Sequence, residues 1–305
     1  MRKSNPGAHA LLSFFFSEAS AMLLWLMSRR QTLLIGFISL LLTPIAVLSQ
    51  QPITPARLKN SPTLAVGGLG SWKTVQNGIE FRKIALERSE PNQAIDFKVL
   101  RFDTRWVIPR VIRSSQFQLK GANVKMLAEK SGAIAAINAN YFDEKGQPLG
   151  FLKADAQEIN RTVSKSSLLS GIFGMRSLSP FIVHRDGFQS PQADEALQSG
   201  PLLLNRGATL EVTRGAGRYS RRSVIGIDQD NRLLIAVTDS ILGGLSWVEL
   251  QELFSAPQWQ LQATDLLNLD GGGSAQLYVK TANFEEMIAG TAEVPVAIGF
   301  FKKPN

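Results

Sequence analysis

The stretch "LNLDGGGSAQLYV", residues 267–279, sets one carboxylate, Asp270, at the end of an apolar run and follows it with Gly271, Gly272, Gly273 and Ser274. A carboxylate in that position is partly withdrawn from water and calls for a cation, a hydrogen-bond donor or a metal. Glycines carry no Cβ, so successive N–H groups can approach an anion together and form a nest for it. Ser274 adds a hydroxyl. The pattern is not a Walker loop, because no Lys-Ser/Thr pair follows the glycines. Nor is it a nucleophile elbow, because Gln276 stands where glycine is required. A tight hairpin with a structural aspartate would also account for it.

Three further groups could join this chemistry. In "AINANYFDEKGQPLG", residues 136–150, Asn138, Asn140 and Asp143 cluster beyond a strand-like run; polar groups at a strand end suit a site, and an Asx-rich turn is the alternative. In "ALQSGPLLL", Ser199, Gly200 and Pro201 lie between what reads as a helix end and a strand, where a plain helix stop explains them nearly as well. Arg221 and Arg222 precede the strand-like "SVIGID". Arginine suits bidentate phosphate recognition, although a lone pair of this kind also serves as a solvated surface feature.

What is missing narrows the chemistry. The chain has no cysteine, which excludes a disulfide framework, a thiolate metal site and a cysteine nucleophile. Its two histidines are His9, in the N-terminal extension, and His184, so a multi-histidine zinc site is excluded. His184, in "FIVHRDG", reads as a structural or surface histidine near a turn. Catalysis must rest on carboxylates, amides, hydroxyls and arginine. No dedicated metal cage is visible, and a divalent cation held by oxygen ligands is compatible with this residue set.

The elements that must carry these residues are mixed. "IEFRKIALE" and "IDFKVLRFD" alternate as half-buried strands do, and "AIAAIN", "RLLIAVTD", "LLNLD", "AQLYV" and "VAIGFF" read as further strands. "GANVKMLAEKSG" predicts a short helix ending at Gly132. "SWVELQELFSA" predicts another, because Ser246 and Glu249 form a capping box before an apolar face. "SPQADEALQSG" predicts a third, with Ser190 as cap, Pro191 in the first turn and Gly200 at the stop. The expectation is one α+β domain over residues 76–305, a single domain with a mixed, largely antiparallel sheet and flanking helices. Residues 50–75, rich in Pro, Gly and Ser, read as a linker.

Residues 1–49 read as an extension with an export signal. From Met27, "MSRRQTLLIGFISLLLTPIAVLSQQP" has a charged start at Arg29 and Arg30, an apolar stretch, and a Val47-x-Ser49 cleavage pattern before Gln50. That is secretory signal anatomy, with an uncleaved N-terminal membrane anchor as the alternative. Translation starting at Met27 would make residues 1–26 a surplus preface. The formal net charge is +8, and three of those charges come from the extension. The remaining excess fits phosphates or acidic glycans and includes no dense basic run of the kind nucleic acid requires.

Together "AINANYFD", "GQPLG", "SGPLLL", "RRSVIGID", "TDSILGGLSWVEL" and above all "NLDGGGSAQLYV" resemble the phosphodiester glycosidase family, over roughly residues 79–302. Among its members is the animal enzyme that uncovers mannose 6-phosphate. The resemblance implies hydrolysis of a sugar-1-phosphodiester to free sugar and a phosphomonoester, with a glycan or sugar-phosphodiester as partner. It makes Asp270 the first candidate and Asp143 the second for the catalytic carboxylate. Gly271, Gly272, Gly273 and Arg222 would hold the diester charge, and Asn138, Asn140 and Ser274 would orient sugar or phosphate oxygens. Ser199 and Gly200 lie in a matching motif and join the substrate-binding set. Ala139 stands where the family usually has glycine, so the local loop is expected to differ. The animal enzyme's cysteine-rich region has no counterpart here.

Overall fold

The computed structural model describes residues 56–213, 215–240 and 243–303. They all fall within one unit, Pro55–Asn305. The extension, the signal and residues 50–55 of the expected linker lie outside the described residues.

The described residues form three sheets. The largest runs in the order β1 (Ala56–Arg57), β2 (Leu64–Leu69), β4 (Ile79–Arg88), β5 (Gln93–Phe102), β16 (Leu233–Asp239), β15 (Ser223–Asp228), β17 (Ala263–Asn268), β13 (Leu202–Asn205), β14 (Ala208–Thr209), with β3 (Lys73–Gln76) beside β4. The second is β11 (Ser179–His184), β10 (Gly171–Arg176), β12 (Glu195–Ser199), β8 (Leu152–Ala154), β9 (Gln157–Asn160). The third is β19 (Glu285–Ile288), β18 (Leu277–Lys280), β7 (Ala135–Asn138), β20 (Val296–Lys302), β6 (Val107–Arg113). Every pairing recorded among the described residues is antiparallel, so the expected mixed sheet gives way to antiparallel ones.

Among the described residues two α-helices flank the sheets, α1 (Val124–Ser131) and α2 (Trp247–Ser255). Both start and stop as their sequences predict. Asn123 accepts the Met126 N–H at one end of α1 and Gly132 closes the other in the left-handed conformation. At α2 the capping box forms between Ser246 and Glu249. The fold is therefore mostly antiparallel β, with less helix than the α+β reading expected.

The continuous apolar runs of β15 and β16 follow from burial on both faces. Ile225, Ile227, Leu233, Ile235 and Val237 point into the core shared with the other two sheets. Val224, Leu234 and Ala236 point the other way, against Leu250, Leu253 and Phe254 of α2. Phe102 of β5 and Phe300 of β20 stack at 4.0 Å between the first and third sheets.

Two sequence expectations are corrected. Part of the expected linker is folded: Leu64, Ala65 and Val66 are buried in β2, which pairs with β4. In the expected helix at residues 190–200, Ser190–Gln192 makes one 3₁₀ turn and Glu195–Ser199 is a buried strand between β10 and β8. Its long polar residues replace missing ladder partners. Glu195 accepts the N–H groups of Val111 and Asp155. Gln198 accepts from Phe151 and Ser164 and donates to the carbonyls of Ser164 and Leu169.

Candidate active site

The glycine run is not a hairpin. It carries the chain from β17 in the first sheet to β18 in the third. Two other sheet-to-sheet connections meet it. Residues after β7 leave the third sheet for the second, and Gly200–Pro201 leads from β12 in the second sheet to β13 in the first. Hydrogen bonds lock the three together. Tyr141 O–H donates to the Gly200 carbonyl at 3.1 Å, Asn268 Nδ2 reaches the Tyr141 oxygen at 3.0 Å, and Asp270 N–H donates to the Ala139 carbonyl at 3.0 Å.

Asn138 is the central bolt. Its Nδ2 donates to the Asp270 carbonyl at 2.6 Å, while its Oδ1 accepts from Ser223 Oγ at 2.7 Å and Gln276 N–H at 3.0 Å. With its amide committed to the protein and fully buried, Asn138 fixes the backbone at Asp270. Asn140 differs: Nδ2 donates to the Tyr141 carbonyl, and buried Oδ1 has no hydrogen-bond partner among the described residues. The buried Ser199 Oγ is unpartnered in the same sense. Ala139 is not among the residues with positive φ, so this backbone does not need a glycine there.

Two of the glycines allow close approach of neighbouring segments. A Cβ on Gly271 would lie 2.7 Å from the Arg221 carbonyl oxygen, and one on Gly273 would lie 2.6 Å from Thr291 Oγ1. Gly272 sits at φ +61°, and its N–H donates to the Arg221 carbonyl. Ser274 N–H donates to the Gly271 carbonyl at 3.2 Å. The Gly272 and Ser274 N–H groups are thus engaged within the protein.

Asp270 itself is half-buried. Burial raises its carboxyl above the usual aspartate value, with the Ser274 hydroxyl and Gly271 N–H acting in the opposite sense. Tyr141 is held strongly protonated, first by burial and then by the negative charge of Asp270, with Arg222 opposing. Arg222 is 6% exposed, donates through Nε to the Leu245 carbonyl and through Nη2 to the Arg218 carbonyl, and packs over the Trp247 ring at 4.8 Å. Burial pushes it down to about 10, still charged at neutral pH. It has no ion-pair partner among the described residues. A buried cation without a carboxylate is suited to an incoming anion.

Asp143 is drawn elsewhere. Its Oδ1 caps a local turn by accepting the N–H groups of Lys145 and Gln147, and none of its hydrogen bonds reaches the Asp270 cluster. Arg221 staples the site from outside through the carbonyls of Ala275 and Ala289. His184 opens on a cavity of about 510 Å³ that also touches Pro201 and Trp247. No group of three or more His, Cys, Asp or Glu among the described residues could hold a metal ion.

Sequence reasoning missed Tyr141, Ser223, Asn268 and Gln276. Asn268 was reachable, because alternation along a strand puts residues two apart on one face, and Asp270 follows it by two.

The phosphodiester glycosidase family model matches residues 131–301, which include all three connections. No curated protein matches the chain. Among solved structures, a hypothetical protein from Synechocystis is 15% identical with a TM-score of 0.59, over 76% of this chain and 64% of that one. The present chain thus spans less than two thirds of that protein. The catalytic domain of zebrafish N-acetylglucosamine-1-phosphodiester alpha-N-acetylglucosaminidase, auto-inhibited by its pro-peptide, is also 15% identical with a TM-score of 0.59, over 79% of this chain and 88% of that one. At such identity the two structures share the fold alone with this chain. It is the family match, spanning more than half the sequence and every connection that builds the Asp270 corner, that makes this chain a member of the phosphodiester glycosidase family.

Proposed function

We propose that this chain is an exported hydrolase that cleaves a sugar-1-phosphodiester of cell-envelope or extracellular glycans to free sugar and a phosphomonoester. One observation carries the reading: Arg221 and Ser223, on either side of the buried, unpaired Arg222, are hydrogen-bonded to Gly272 and Leu269, on either side of Asp270, so a guanidinium and a half-buried carboxylate share one corner. Such a corner can treat the two halves of a sugar-phosphate bond differently. The water oxygen bonds to the anomeric carbon while that carbon's bond to the bridging oxygen breaks. The electron pair leaves on the phosphate, where Arg222 meets the added negative charge. Asp270 either takes the water proton in one step or bonds to the carbon first and is released by water. Tyr141, kept neutral, is a donor and not a base. The cavity of about 510 Å³ beside Trp247 and Pro201 gives room for the group beyond the phosphate. Asp143 is left out because its carboxylate is held in a turn.

Phosphorus NMR on a panel of sugar-1-phosphodiesters tests this reading through conversion of diester to monoester. Binding of phosphorylated or acidic polysaccharide with no turnover across the panel would favour a non-catalytic binder instead. The pH profile gives an independent check. Both roles for Asp270 need it deprotonated, and its carboxyl is raised, so kcat/KM is expected to climb with pH through a value above the ordinary ~3.9 of aspartate. An acid limb at or below that value would exclude Asp270 as base or nucleophile. For the export half, N-terminal sequencing of protein recovered outside the cytoplasm is expected to begin at Gln50. A sequence beginning at Met27 or earlier would mean an uncleaved anchor or no export signal.

A further inference from the structure

We propose a second ligand site, for an anionic oligosaccharide, at the far end of β20 from Asp270. Asn138 pairs with Ala297 near the start of β20, whereas Lys302 pairs with Val107 at its other end. Five residues of strand separate them, or about 17 Å. A cavity of about 520 Å³ opens there, lined among others by Gln76, Asn77, Trp106, Asn283, Lys302 and Lys303.

Trp106 is 49% exposed, yet it is held in place. Its N–H donates to the Asp103 carbonyl at 2.9 Å and its carbonyl accepts the Lys303 N–H at 2.8 Å. Its side chain presses on Gly78, where an added Cβ would come within 2.5 Å of the tryptophan Cβ. A large apolar ring fixed at the surface offers a stacking face at little cost in entropy.

The charged side chains that line the cavity are of one sign. Lys302 and Lys303 line the cavity, and Lys73 lies 5.5 Å from the ring of Phe284, next to Asn283. None of these three lysines has an ion-pair partner among the described residues. The described lining contains no carboxylate. A ring face, three carboxamides and unpaired ammonium groups match a hydroxylated ring bearing carboxylate or phosphate. The concave, carboxamide-rich wall favours a saccharide over a bilayer, which an apolar protrusion would suit better. Such a site would hold the polymer while Asp270 acts elsewhere on it.

Calorimetric titration of the purified full chain with oligogalacturonate, and with uncharged maltoheptaose, tests the assignment. Oligogalacturonate is expected to bind, more weakly as salt rises, and maltoheptaose at least tenfold less tightly. Trp106→Ala and the double change Lys302→Gln/Lys303→Gln should each weaken binding tenfold or more, with circular dichroism unchanged. Asp270→Asn should leave it untouched. The proposal is overturned by absent binding, by equal binding of the uncharged sugar, or by affinity that survives both surface variants. Tighter binding of anionic phospholipid vesicles or single-stranded DNA than of oligogalacturonate would also overturn it. Because the readout is binding, its outcome is independent of whether the chain hydrolyses diesters.

Discussion

Asp270→Asn is expected to lower phosphodiester turnover by at least about a hundredfold, the lower range for losing a positioned acid–base group, while leaving the protein at least as stable. Asparagine keeps the shape and one acceptor oxygen for the Ser274 hydroxyl and Gly271 N–H, but can neither take a proton nor bear charge. The anchors of residue 270 are main-chain: its N–H to Ala139 and its carbonyl to Asn138. Neither changes with the side chain. The sign of the stability effect follows from the raised carboxyl. Folding disfavours the charged form of Asp270, so removing that charge at neutral pH cannot cost what it would at a salt-bridged aspartate. The two readouts separate catalysis from architecture. Lost turnover with an unchanged urea midpoint supports a catalytic carboxylate. Lost turnover with a clearly lowered midpoint makes Asp270 structural, and turnover within a few-fold of the parent removes it from the reaction.

The parts legible in the sequence were those in which local chemistry decides structure. Asn123, Gly132, Ser246 and Glu249 announced both helices, and the alternation in residues 79–103 announced β4 and β5. Where long-range partners decide, the reading failed. "EALQS" has helix-favouring residues, but Glu195 and Gln198 are drawn into a strand because their side chains serve orphaned N–H and carbonyl groups on neighbouring segments. The glycines in "LAVGGL" masked a strand whose buried half is only three residues long. In the site, residue types pointed to Asp270 and Arg222. The conversion of Asn138 from ligand contact to bolt needed the meeting of three sheets, which no spacing encodes. The glycine run was read through what it could donate; the need for space against Arg221 and Thr291 is visible only in the fold.

Arg88→Met is expected to cost about 3–5 kcal/mol of stability, the usual penalty for stranding one partner of a buried pair. Both side chains of the Arg88–Glu249 pair are fully buried, with contacts at 2.6 and 2.9 Å. Glu249 also accepts from Ser61 Oγ and the Ser246 N–H. Burial alone would raise its carboxyl, but the hydrogen bonds from Arg88, Ser61 and Ser246, with the Arg88 charge, outweigh it and hold the value below the usual range. A depressed carboxyl contributes stability that is present above the unfolded value of about 4.3 and disappears as pH falls through the folded one. The gap between parent and variant urea midpoints should therefore be full at pH 7 and shrink below pH ~4. A gap constant across that range would assign the loss to packing. Replacing Glu249 as well should recover part of the loss, since a buried pair exchanged for apolar groups can be nearly neutral. The effect reaches the active site by a short route. Arg88 also donates to the Gly244 carbonyl at 3.0 Å and stacks on Tyr219 at 3.7 Å. Those neighbours flank Leu245 and Arg218, whose carbonyls hold the Arg222 guanidinium. In folded variant protein at low temperature, KM for a diester should rise more than kcat falls, because the loosened group is the one expected to hold the phosphate.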